Sequence, residues 1–127
     1  MAPSEGLREA GRELLRDILS ERQLALFRVL ARDARRFPEL GRRYREEILG
    51  NRVRLFVRHV KGWPAELRAK VGDPERAAHL FASLVRADVF ETALLGGPVL
   101  DEADQRTTAC RAAADLLALV DSGRLAK

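Results

Sequence analysis

Helix boundary signals punctuate this chain so regularly that little but helix fits between them. Asp73-Pro74-Glu75 sets a capping side chain, a proline suited to a first helical turn and an acid near a helix N-terminus in consecutive positions. Ser20-Glu21-Arg22-Gln23 has the form of a capping box, in which the Ser hydroxyl and the Gln side chain satisfy exposed backbone donors. Pro38 ends one helix, because the residue before proline is pushed out of the helical region, and it suits the start of the next. Gly62-Trp63-Pro64 and Gly96-Gly97-Pro98 are breaks, and Asp101 caps a final helix. Between these marks apolar residues recur at helical rather than alternating spacing. The expected fold is all-α, an antiparallel bundle of about five to six helices, and 127 residues make one domain.

The spacing predicts helices over about 4–19, 21–36, 38–61, 74–95 and 102–120. Gly11 weakens the first by up to about 1 kcal/mol relative to Ala. Gly50-Asn51, two weak helix formers, predicts a kink in the third. The stretch from Trp63 to Gly72 reads as a short mobile connection. The last two helices carry apolar residues around more of their circumference than one packed face requires. The economical partner for the second face is another copy of the chain, with Ala109, Ala112 and Ala113 allowing close approach. The alternative is a compact monomer in which these helices are central.

The net charge of +4 invites a nucleic-acid reading. Residues 1–62 hold 15 basic and 9 acidic side chains, and residues 63–127 hold 8 and 10. In the first half, however, bases alternate with acids, as in Arg8, Glu9, Arg12, Glu13, Arg16 and Asp17, the habit of solvated helix faces. A phosphate-binding surface would cluster cations without interleaved acids. Non-specific nucleic-acid binding, or a stand-alone helical interaction module, is the alternative function. No stretch has the ~20 apolar residues of a membrane span, nor the form of an export signal, so a cytoplasmic protein is expected.

Motifs of catalysis do not stand out. His59 and His79 belong to no metal-ligand spacing, and there is no Gly-x-Ser-x-Gly elbow, Walker loop or dinucleotide fingerprint. The single cysteine, Cys110, excludes an internal disulfide and sits among alanines, where a small buried apolar residue is expected. The expectation is no enzyme, no metal and no cofactor. What remains is a cavity. Phe27, Phe37, Tyr44, Phe56, His59 and Trp63 gather most of the aromatics in the second and third helices and the break that follows. Pockets in helical bundles are apolar with a few orienting polar groups, for which His59, Tyr44 and Asp88 are candidates. The competing reading has the aromatics filling the core and His59 as an ordinary helix residue.

The stretch LALFRVLARDARRFPELGRRYREEIL, residues 24–49, resembles the C-terminal domain of TetR-family transcriptional regulators, with Phe37-Pro38-Glu39-Leu40 followed by Tyr44. The likeness continues through DPERAAHLFASLVRADVF, residues 73–90, and RAAADLLAL, residues 111–119. It implies an all-helical effector-binding and dimerisation domain of a repressor that senses a small, apolar ligand. It implies a homodimer through the last two helices, here with Val85, Val89, Phe90, Ala109, Ala113, Leu116 and Val120 at the interface. It implies a ligand pocket among the preceding helices, mapping onto Phe27, Tyr44, Phe56, His59 and Trp63, with Phe81 and Leu84. Family members begin with a helix-turn-helix domain of about fifty residues. No such pattern precedes Ser20, so the chain is expected to be a sensing domain that reaches DNA only through a domain it lacks.

Overall fold

The computed structural model describes residues 2–127. In order its elements are α1 (Pro3–Ile18), α2 (Glu21–Asp33), α3 (Pro38–Arg43), a π-helical turn (Tyr44–Leu49), α4 (Gly50–Lys61), α5 (Ala65–Ala69), α6 (Pro74–Arg86), α7 (Val89–Leu94) and α8 (Glu102–Asp121). A short 3-10 turn, Arg124–Ala126, closes the chain. Among the described residues every regular element is helical. The three caps form, but the box at Ser20 closes on one side only: the Ser20 N–H donates to the Asp17 carbonyl at 3.2 Å and not to the Gln23 side chain. Ser20 Oγ accepts from Gln23 N at 3.2 Å, Asp73 Oδ1 from Glu75 N at 3.0 Å, and Asp101 Oδ1 from Asp104 N at 2.8 Å. No helix is long and apolar enough to cross a membrane among the described residues.

The architecture is organised by α1 lying along α8, with α6 packed on both and α4 packed on α6. Gly11 explains the closeness of the first pair. A Cβ placed there would come 3.1 Å from Ala109 Cβ and 3.5 Å from Phe81 Cζ, so the glycine that weakens α1 as a helix is what lets it seat on α8. Leu7, Leu15, Val85, Ala109, Leu116 and Val120 are fully buried where these helices meet.

This packing covers, within the subunit, most of the apolar face that was expected to meet a partner copy. Val85, Phe90, Ala109, Ala113, Leu116 and Val120 are buried within the subunit, and Val89 is packed at the edge of the same core. Helix α1 supplies the second covering face that a partner copy was expected to provide. Cys110, expected inside, is exposed on the opposite side of α8.

Three further boundaries differ from expectation. The helix expected over 74–95 is interrupted at Ala87, which adopts φ 36° and ψ −127°, before α7 resumes at Val89. Arg28 of α2 donates to the Leu94 carbonyl at 2.9 and 3.2 Å, capping α7 from outside its own helix. The irregularity expected at Gly50-Asn51 lies one turn earlier, in the π turn. The stretch expected to be mobile folds: α5 forms, and Trp63 and Val71 on its two sides are 4% and 2% exposed. Of the alternating charges of α1, Asp17 pairs across to Arg52 of α4 rather than within its own helix; local pairs form instead further along, Arg42 with Glu39 at 2.8 Å and Arg43 with Glu47 at 3.4 Å.

Candidate functional site

Helices α1 and α4 both pack on α6 but leave a cleft of about 580 Å³ between them. That size is within the range of small-molecule sites, ~300–1,000 Å³. Its floor is apolar, built by Leu14 of α1, Val53 and Phe56 of α4, and Ala78, Phe81 and Ala82 of α6. The Phe56 and Phe81 rings lie 5.8 Å apart at a 33° tilt, tying α4 to α6 beneath the opening. Arg52 of α4 reaches across to Asp17 of α1 at 2.5 Å and bridges the two walls. Arg86, the last residue of α6, lies at one end, its guanidinium carbon 4.5 Å above the Phe90 ring.

His59 lines the same cleft and is partly buried. Its ring meets Trp63 edge-on, with centroids 5.8 Å apart and planes at 88°. Gly6 of α1 backs directly onto the imidazole. His59 Nε2 and Trp63 Nε1 are buried without a hydrogen-bond partner among the described residues. Burial holds the His59 imidazole below its ordinary pKa, and the Pro3 carbonyl pulls weakly the other way without reaching normal hydrogen-bond geometry. The neutral ring is therefore the form packed under α1.

Of the aromatics and polar groups read from the sequence, the cleft gathers Phe56, His59 and Phe81. Trp63 stands behind His59 rather than on the wall. Tyr44 lines a second, smaller hollow of about 170 Å³ with Leu26, Leu30 and Leu40. Phe27 lies between Tyr44 and Phe90, 6.4 and 5.1 Å from their centroids, both edge-on. Leu84 packs on the core edge, and Asp88 is exposed at the α6–α7 break; neither lines the cleft. Sequence reasoning missed Arg52, Arg86 and the α1 wall. The i, i+4 pair Glu13 and Asp17 was visible as a charged face, but nothing local says that α4 lies opposite it. No group of three or more His, Cys, Asp or Glu side chains is placed to hold a metal among the described residues.

The π turn partitions the two hollows. Glu47 and Ile48 line both, so the widened ring at this point is shared by two cavities. π turns inside helices occur frequently at functional sites, because the extra residue redirects side chains that a regular helix would stagger.

Neither a curated protein nor a solved structure matches the chain. A family model does: that of the AefR-like transcriptional repressor, C-terminal domain, one of the TetR C-terminal families, matches residues 5–120. The matched span runs from the first turn of α1 to the last turn of α8 and so includes every wall of the cleft. With most of its length matched, the chain belongs to the AefR-like family of TetR-type C-terminal regulatory domains.

Proposed function

We propose that residues 1–127 form one ligand-binding and dimerisation domain of a cytoplasmic TetR-type repressor, and that the α1–α4–α6 cleft is its effector site. One observation carries the reading: an apolar-floored cleft of about 580 Å³ is walled by three separate helices within the matched span. An effector seated there touches α1, α4 and α6 together, and its differential contacts would shift the relative positions of those helices. The domain has a binding role and not a catalytic one. DNA would be contacted by a helix-turn-helix domain outside these residues.

The dimer surface in this reading is the outer face of α8. Thr107, Cys110, Ala114 and Ala118 are exposed there at helical spacing, with Leu117 half-buried beside them. Leu95 and Val99, 85% and 51% exposed in the preceding connection, add apolar area. The test combines light scattering with a filled cleft. Ala82→Phe should keep the dimer and the fold while abolishing effector binding. A strict monomer at micromolar concentration removes the dimerisation role.

A further inference from the structure

The charged groups of the cleft differ in exposure. Glu13, Asp17 and Glu47 are all exposed at its rim, whereas Arg52 and Arg86 are partly buried. Glu47 is engaged by Arg43, and Asp17, half exposed, by Arg52. Arg86 has no carboxylate or hydrogen-bond acceptor among the described residues. Its guanidinium carbon lies 4.5 Å from the Phe90 ring centroid, and none of its N–H donors is taken by a hydrogen bond among the described residues. A guanidinium drawn partly out of water, beside an apolar floor, retains its charge and lacks a counter-ion.

We propose that the cleft takes an amphiphilic organic anion, an aryl- or alkyl-carboxylate, with its apolar body on Phe56 and Phe81 and its carboxylate held by Arg86. This rests on the cleft being the effector site and names the chemistry of the effector. The fork of Arg86 matches a carboxylate bidentately, and its partial burial makes that contact stronger than one made by a fully exposed arginine. Arg52 is a second donor within the same cleft. Asp17 can turn to solvent if the ligand's carboxylate replaces it, because Asp17 is already half exposed. The rim acids are screened by water and select weakly against the anion.

The experiment uses three probes with one body and different heads: 5-phenylvalerate, 5-phenylpentan-1-ol and 5-phenylpentylammonium. Binding is followed by calorimetry and by the fluorescence of Trp63, the only tryptophan, which contacts the cleft residue His59. The carboxylate should bind at least about tenfold more tightly than the alcohol, and the ammonium least. Arg86→Gln should remove about a factor of ten or more from carboxylate affinity and leave the alcohol unchanged; Arg52→Gln should have a smaller effect. If the ammonium binds tightest, or carboxylate and alcohol bind alike, the proposal is overturned while the cleft stands as a binding site. If none of the three binds, the effector-site reading falls with it. The comparison of heads on the unaltered protein decides the matter even if an Arg86 variant does not fold.

Discussion

Gly6 of α1 and His59 of α4 are in direct contact, with no room between them for a side chain. A Cβ placed on Gly6 would fall 2.5 Å from His59 Nε2 and closer still to Cε1. The start of α1 thus rests on a wall residue of the cleft. The residue type at position 6 is fixed by a tertiary contact, since Gly in a helix is locally unfavourable.

Gly6→Ala should therefore destabilise the domain by about 1–3 kcal/mol, the usual cost of overpacking a closed contact. Gly41→Ala is the control. Its Cβ would lie 3.6 Å from Ala34 Cβ, an ordinary contact, so the substitution should stabilise by about 0.5–1 kcal/mol. Urea denaturation of the two variants should move the midpoint in opposite directions. Equal shifts would mean that α1 does not press on His59.

Protonation of His59 should loosen the same contact. Its folded pKa is lowered by burial, so the unfolded chain binds the proton more readily than the native one. Stability is unaffected by this group above its ordinary value of about 6.5 and is lost as pH falls from there toward the folded pKa. The elements packed against His59 supply Gly6, the Pro3 carbonyl and Trp63, with no carboxylate in hydrogen-bond contact to offset a new charge. His59→Asn should flatten the pH dependence of the urea midpoint below about pH 6.5. An unchanged slope would show that carboxylates alone set it.

The helix starts were legible because each is written in two or three adjacent residues: Ser20, Asp73 and Asp101 all cap as their chemistry dictates. Phe56 and His59 stand out in the sequence as an aromatic and a polar position on one helix, and Phe81 only through the resemblance; the cleft gathers all three. What was not legible depends on which helices become neighbours. The width of the α8 apolar face was visible, but that α1 covers it follows from Gly11 seating on Ala109, a contact between residues nearly a hundred positions apart. The Arg86 and Arg52 positions at the cleft likewise follow from α1 and α4 sharing α6, for which no short motif exists.

Neighbouring alanines on α8 separate the two possible roles of that helix. Ala113 is 1% exposed inside the subunit, whereas Ala114 is exposed on the outer face. Ala113→Glu should unfold the domain, because it buries an unpaired charge at a cost of several kcal/mol. If the outer face of α8 is the dimer surface, Ala114→Glu should keep the helical circular dichroism spectrum and yield a folded monomer by light scattering, with a lower melting temperature only to the extent that association stabilised the parent. Retention of the dimer in a folded Ala114→Glu protein would move the interface off this face.

The break between α6 and α7 should be the most improvable point of the backbone. Ala87 holds φ 36°, a region that a Cβ disfavours and that glycine enters freely. Nothing in the sequence marks it, since Ala87-Asp88 carries neither glycine nor proline and a continuous helix was the natural expectation. The geometry is maintained from elsewhere: Phe90 and Ala93 anchor α7 in the core, and Arg28 binds the carbonyl at its end. Ala87→Gly should stabilise the domain by about 1 kcal/mol, since relief of strain outweighs the added freedom of the unfolded chain. Arg28→Met should cost roughly 1 kcal/mol through the lost capping bonds while keeping most of the apolar stem. Thermal melts of both variants and of their combination should be additive to within about 0.5 kcal/mol if the two act at separate ends of α7. A destabilised Ala87→Gly protein would show instead that α6 and α7 run on as one helix in solution.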